Sequence, residues 1–278
     1  MKTHLFLTLA GSLTIGVLSA VEPVLLKNPA PELPLRIQTS TIAKGGRASS
    51  TVPTGTTSQT IDITRKRHIE RTMRNDALGG EVTYRILQDV ITTAVNGKTE
   101  NKTGPLEAKS PKARKNGAGN WTFSLEGTAL GEAADDLEML GAFENRKWLP
   151  ERKVAIGESW NFEPSFIRRS LQRDIPNPQV TGVMKLREIG TAPDGTRQAI
   201  IDCFIRGGGR SETPTGATVT AETGLVGNLT VNLDQPGRMR FYLNGKLATG
   251  VAKPGDSAKV MMPLNLSVTI NPIPKLGE

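Results

Sequence analysis

The chain has 278 residues, and its 35 Lys and Arg against 27 Asp and Glu give a net charge of +8. A single Cys excludes an intramolecular disulfide, so a core of apolar side chains must hold the fold. Seven Phe, three Trp and two Tyr are few rings for stacking on bases, so we attribute the charge to solubility and weak affinity for anionic surfaces, not to nucleic-acid binding.

The first twenty residues have the pattern of a secretory signal peptide. Residues 1–20 contain Lys2 and His4, then an apolar stretch, then the small residues Ser19 and Ala20. This pattern predicts export to the periplasm or the outside of the cell, with an uncleaved N-terminal anchor as the alternative. Cys203 is far from this segment, so no lipid-modified cysteine is expected.

Residues 21–58 are rich in Pro, Gly, Ser and Thr. Such a composition buries little apolar surface against the entropy of ordering, so it predicts a flexible arm. The apolar patches around Leu25 and Leu35 are expected to dock on the rest of the protein.

From residue 59 to residue 278 the dominant period is two, which predicts a single antiparallel β domain. The clearest strand has an apolar face formed by Val260, Met262, Leu264, Leu266, Val268 and Ile270. Pro263 lies on the other face, which indicates an edge strand or a bulge. Hairpin turns are predicted at residues 193–196 and 234–237, at Asn96-Gly97, and at Asn244-Gly245.

Two helices are predicted between the strands. Residues 129–140 place apolar side chains at helical spacing, and residues 164–173 begin with a Pro that suits a first helical turn. Asp135, Asp136 and Glu138 fall on the polar face of the first helix and are expected to be solvated. Together the elements predict a mainly β fold with long antiparallel strands in a strongly curved sheet or half-barrel, closed in part by a helix.

A Gly-x-Ser segment at residues 157–159 raises the question of a catalytic serine. A nucleophile elbow needs Gly at position 161, where Asn stands, and a histidine after the serine, whereas His68 precedes it. No catalytic, cofactor or metal site is therefore predicted. Cys203 alternates with isoleucines and is expected to be a small buried side chain.

The same region carries the spacing P-x-x-x-V-x-x-G-x-S-W, formed by Pro150, Val154, Gly157 and Trp160. Gly157 suits a turn, and Trp160 is expected to enter the core with its indole N–H bonded to the backbone. The segment resembles one found in a loose group of exported bacterial envelope proteins of unknown function. That resemblance implies a β-rich envelope protein and supplies no catalytic residue.

Residues 64–74 form a basic stretch that includes Arg65, Lys66, Arg67 and Arg71. If these side chains shared a concave face, they would contact an anionic partner; a solvated outer face is the interpretation we favour.

Three classes of function remain at this point. The first is a non-catalytic envelope protein that holds an apolar or amphiphilic ligand such as a lipid, and it requires a cavity of a few hundred cubic ångströms. The second is a structural protein whose basic surface contacts an anionic envelope polymer or a protein partner. A hydrolase is the third and the least supported.

Overall fold

A computed structural model describes residues 22–75, 80–126, 131 and 133–274. The signal peptide predicted over residues 1–20, and the predicted start of the first helix at residues 129 and 130, lie outside these ranges. The mainly β, antiparallel character of the predicted fold is confirmed, because long antiparallel strands dominate the described residues and two short helices accompany them.

The elements run in chain order as follows: β1 Val24–Leu26, β2 Leu35–Val52, β3 Gly55–Arg74, β4 Glu81–Val95, β5 Lys98–Thr103, β6 Lys112–Lys115, β7 Trp121–Ser124, α1 Ala133–Glu144, β8 Arg152–Val154, β9 Ser159–Phe162, α2 Ser165–Leu171, β10 Gln179–Thr191, β11 Arg197–Glu212, β12 Thr218–Asn232, β13 Met239–Lys253 and β14 Asp256–Pro272.

Twelve of these strands form one antiparallel sheet. Its order is β7-β6-β4-β3-β2-β14-β13-β12-β11-β10-β9, with β5 paired to β4, while β1 and β8 form a separate pair. The C-terminal meander therefore joins the N-terminal hairpin where β14 pairs with β2. This central pairing places Leu35 beside Pro272 in the middle of the sheet.

Most of the predicted hairpin turns are confirmed. Residues 193–196 connect β10 to β11 and residues 234–237 connect β12 to β13. Asn96 and Gly97, between β4 and β5, both have positive φ, as a two-residue type I′ turn requires. The turn predicted at Asn244-Gly245 is wrong, because both residues lie inside β13, where a Cβ on Gly245 would meet Gly224 O at 2.0 Å.

The flexible arm predicted for residues 21–58 is wrong over the described residues. Leu35–Val52 pairs with β14 on one side and with β3 on the other, and Leu35, Ile37 and Ala43 are buried. The prediction from composition failed because a strand that is paired on both sides can be stable with few large apolar side chains of its own. Its backbone groups are satisfied by the ladders on both sides.

Pro263 marks a bulge and not an edge. The pairing of β14 with β2 shifts between Met261 and Asn265, around Pro263, which has no N–H to donate to the ladder. Because β14 is a central strand, the edge-strand interpretation of Pro263 is excluded and the bulge interpretation is confirmed.

Both helices pack on one face of the sheet. α1 begins later than predicted, and it buries Ala133, Leu137 and Leu140. α2 falls within its predicted range and buries Ile167 and Leu171. Neither of these described helices has the length and apolar character that a membrane crossing would need.

The central position of β2 leads to a test by core truncation. Ile37→Ala removes a side chain that is fully buried, so it should lower the free energy of unfolding by about 2–5 kcal/mol. Gln38→Ala, on the exposed face of the same strand, is the matched control and should change it by less than about 0.5 kcal/mol. Urea denaturation measures both; equal small effects would show that β2 is not part of the folded core.

Candidate functional site: a cavity between the helices and the sheet

A cavity of about 340 Å³ lies between the two helices and the sheet. Its floor is made by neighbouring strands β3, β2, β14 and β13, and its roof by α1, α2 and the residue Trp148. The size meets the requirement that we set for a protein holding a small apolar ligand.

The floor changes from apolar to charged across the strands. Phe241, Val268, Thr39 and Arg67 are direct cross-strand neighbours on β13, β14, β2 and β3, and Asp89 of β4 is next in the same row. At about 4.8 Å between strands, Phe241 and Arg67 are separated by roughly 14 Å. One side of the floor therefore suits hydrocarbon and the other suits polar groups.

Four aromatic rings cover the apolar side. Trp148 lies with its ring centroid 4.8 Å from Phe241, 5.7 Å from Phe143 and 6.3 Å from Phe166. Trp148 and Phe241 are buried, as are Ile37 and Ile69 beneath them, so this is the closed end of the cavity. The solvent-facing end carries exposed Arg173 and half-buried Arg65, Met139 and Ser170.

The charged side is a network of two arginines and two aspartates, which we call the Arg–Asp cluster: Arg65, Arg67, Asp89 and Asp136. Arg65 donates to Asp89 from Nε at 2.8 Å and from Nη2 at 2.7 Å. It also donates to both carboxylate oxygens of Asp136, at 2.9 and 2.6 Å. Arg67 Nη2 lies 2.9 Å from Asp89 Oδ2 and 3.1 Å from Asp136 Oδ2. The cluster joins α1 to the floor.

The charges in the cluster hold one another ionised. Burial raises the pKa of Asp89, but hydrogen bonds and charges from Arg65 and Arg67 outweigh it, so this pKa lies below its usual value. Burial lowers the pKa of Arg65, and its bonds to Asp89 and Asp136 more than reverse this. Both shifts favour the charged forms of Arg65 and Asp89 at neutral pH.

A second buried network lies beside the cavity. Arg71 Nη2 lies 2.6 Å from Glu144 Oε1, and Tyr84 donates its hydroxyl to Glu144 Oε2 at 2.6 Å. Arg71 also donates to the backbone oxygens of Pro31 and Leu33, which fastens the segment before β2. Burial raises the pKa of Glu144, but the hydrogen bonds and charge of Arg71 outweigh it and bring the pKa below its usual value.

The solvated faces predicted for the basic stretch and for α1 are wrong in part. Arg65, Arg67 and Arg71 share the core-facing side of β3 and pair with the chain's own carboxylates, so they are not free to contact an anionic polymer. Lys66, on the opposite side, is exposed as predicted. Asp136 is buried because α1 is rotated to face Arg65 and Arg67, whereas Asp135 on the same helix remains exposed.

The apolar face predicted on β14 divides into three parts. Leu264, Leu266 and Val268 line the cavity. Ile270 is buried in the core beyond its closed end, and Val260 and Met262 are half-buried farther along the strand.

The P-x-x-x-V-x-x-G-x-S-W segment surrounds the roof without lining it. Val154 is fully buried and pairs with Val24 of β1, half-buried Pro150 precedes β8, and Gly157 has φ +87°. Trp160 is half-buried, and its Nε1 donates to Trp148 O at 2.9 Å. The segment thus fixes the backbone of Trp148, which covers the cavity.

Other expected features are placed as follows. Cys203 is buried, and burial raises the pKa of its thiol to about 12. Ser159 is exposed at the start of β9. The glycines at 207–209 lie inside β11, where a Cβ on Gly208 would meet Ala221 O at 2.6 Å.

A larger cleft of about 780 Å³ lies outside this site. Loop residues line most of it, and Lys27, Lys115 and Lys147 give it a polar wall. It offers an apolar ligand little surface to cover, so we regard the smaller cavity as the candidate site.

No protein-family model and no curated protein sequence matches this chain. Among solved structures, a lipovitellin structure concerned with lipid–protein interactions covers 90% of this chain at 9% identity, with a TM-score of 0.42; the chain spans 26% of that protein. DynF, from the dynemicin biosynthesis pathway of Micromonospora chersina, covers 93% of this chain and 88% of its own at 9% identity, with a TM-score of 0.21. At TM-scores this low, neither similarity carries an argument about this protein.

Removing one charge from the Arg–Asp cluster should be strongly destabilising. Asp89→Asn leaves Arg65 and Arg67 buried with less compensating charge, so the free energy of unfolding should fall by about 3–5 kcal/mol. Asp256→Asn, whose partner Lys253 is well exposed, is the control and should lose about 1 kcal/mol or less. Chemical denaturation compares the two, and similar losses would contradict the role given to the cluster.

Acid should weaken the fold through Glu144 of the second network. Because the folded-state pKa of Glu144 is lowered, its stabilisation is present above the unfolded pKa of about 4.3 and is lost as the pH falls through the folded value. The wild-type stability curve should therefore fall more steeply below about pH 5 than the curve of Glu144→Gln. Urea titrations between pH 3 and pH 7 measure both curves; parallel curves would contradict this assignment.

Proposed function

We propose that this chain is an exported, non-catalytic envelope protein that holds a single-chain apolar or amphiphilic ligand between its helices and its sheet. The observation that carries the proposal is the 340 Å³ cavity, with hydrocarbon and aromatic side chains on one side and the Arg–Asp cluster on the other. The sequence pattern of residues 1–20 supports export.

The volume limits the size of the ligand. At about 340 Å³, the cavity is at the lower end of the range for small-molecule sites, which suits a ligand with one medium-length acyl chain. A lipid with two long chains would not fit without movement of the helices.

The alternative, a basic surface that contacts anionic polymer, is less well supported by the site. Three of the four residues that it relied on, Arg65, Arg67 and Arg71, are engaged by buried or half-buried carboxylates. Exposed Lys66 is the one remaining member of that group.

The proposal is tested by blocking the cavity from its floor. Thr41→Phe introduces a ring into the space while keeping a residue that favours β-strands. Ser40→Phe adds the same ring on the other face of β2 and is the matched control. Isothermal titration with 1-monolauroylglycerol should show binding to the wild type and the control, and at least tenfold weaker binding to Thr41→Phe.

Absence of binding to the folded wild type, by 1-monolauroylglycerol and by charged amphiphiles with the same twelve-carbon chain, would overturn the proposal. Equal binding by Thr41→Phe and the control would also overturn it, because the ligand would then lie outside the cavity. Circular dichroism of all three proteins establishes that they are folded.

A further inference from the structure

Two side chains that line the cavity each contain a buried hydrogen-bond donor without a partner among the described residues. These donors are Arg67 Nε and Trp148 Nε1. Arg67 is only 7% exposed and Trp148 is 1% exposed. A buried donor without an acceptor is unfavourable, so each of these groups favours a ligand that brings an acceptor.

The position of Arg67 makes its unpartnered N–H significant. Its Nη2 is already used by Asp89 and Asp136, on the side of the cluster, which leaves Nε on a side chain that also lines the cavity. Thr39, its cross-strand neighbour on the floor, is small, so space lies beside this side chain.

The unpartnered N–H of Trp148 is a separate observation. The indole is fixed by contacts with Phe143, Phe166 and Phe241, and its backbone oxygen accepts the hydrogen bond from Trp160. It therefore has little freedom to turn toward another acceptor within the protein. An acceptor placed in the cavity is the direct way to satisfy it.

The charges around the cavity are already balanced. Arg65 and Arg67 are matched by Asp89 and Asp136, and Arg173 at the solvent-facing end pairs with Asp135 at 3.4 Å. A carboxylate or phosphate bound at Arg67 would meet Asp136, whose Oδ2 lies 3.1 Å from Arg67 Nη2. Like charges this close in a partly dry site repel strongly. The cluster thus offers donors without offering an excess of positive charge.

We propose that the ligand is a neutral single-chain lipid whose ester or hydroxyl oxygens accept hydrogen bonds from Arg67 Nε–H and Trp148 Nε1–H. This inference rests on the proposed function and names the chemistry of its ligand. The polar end would lie over Val268 and Thr39, between Trp148 and Arg67, and the hydrocarbon chain would run along β14 over Leu266 and Leu264.

Three probes with twelve-carbon chains distinguish a neutral ligand from an anionic or a cationic one. They are 1-monolauroylglycerol, which is neutral and has acceptors; laurate, which is anionic; and dodecyltrimethylammonium, which is cationic and has no acceptor. Isothermal titration below the micellar concentration of each probe gives the dissociation constants. The proposal expects 1-monolauroylglycerol to bind at least tenfold more tightly than either of the other two.

Two variants remove the donors one at a time. Trp148→Phe keeps an aromatic ring in the cluster and removes the N–H, and Arg67→Lys keeps a positive charge beside Asp89 and removes Nε–H. Each should weaken 1-monolauroylglycerol about five- to tenfold, the effect of one hydrogen bond. Binding of dodecyltrimethylammonium, which cannot accept a hydrogen bond, should weaken less than that of 1-monolauroylglycerol in both variants.

Tightest binding by laurate would overturn the inference in favour of an anionic ligand. Equal binding by the three probes, unaffected by either variant, would overturn it while the proposed function survives. If no probe binds to the folded wild type, the proposed function fails and the inference fails with it. Should Arg67→Lys not fold, Trp148→Phe alone decides, because it leaves the Arg–Asp cluster intact.

Discussion

The structure depends on the burial of one carboxylate. Asp89 is fully buried in the sheet, and an uncompensated charge there would be prohibitive, so two arginines from the neighbouring strand must face it. Those arginines bring more donors than Asp89 can use, and Asp136 of α1 supplies the second acceptor. A helix is thereby held over the sheet by charge pairing as well as by the apolar contacts of Leu137 and Leu140.

The cavity follows from unequal side-chain lengths between these layers. On β3 the extended side chains of Arg65 and Arg67 fill the gap up to α1. On the next strand, Thr39 and Thr41 are too short to do so, and the aromatic rings around Trp148 close only one end. A layer in which long and short side chains alternate across strands leaves space above the short ones. The ion pairs that hold α1 over the sheet therefore also create the space in which a ligand could bind.

Much of the fold could be predicted from the sequence. The alternation over residues 260–270 and the turn residues at 193–196 and 234–237 identify strands and hairpins by local chemistry alone. β2 could not be identified by composition, because its stability comes from neighbours on both sides.

Less of the candidate site could be predicted. Arg65 and Arg67 alternate in the sequence with Ile63 and Ile69, and this period of two places both arginines on an apolar face. Their hydrogen-bond acceptors are 22 or more residues away, so no local pattern could pair them. Trp148 has no sequence signal of its own, since its role depends on the Trp160 hydrogen bond and on rings from three other elements.

Native mass spectrometry of the protein, isolated from the cells that produce it, tests the central claim most directly. The account predicts a retained adduct with the mass of a neutral single-chain lipid, lost on denaturation and absent from the Thr41→Phe variant isolated in the same way. A bare protein mass for the wild type, or an adduct that Thr41→Phe retains in full, would contradict the claim that the cavity between the helices and the sheet holds a ligand.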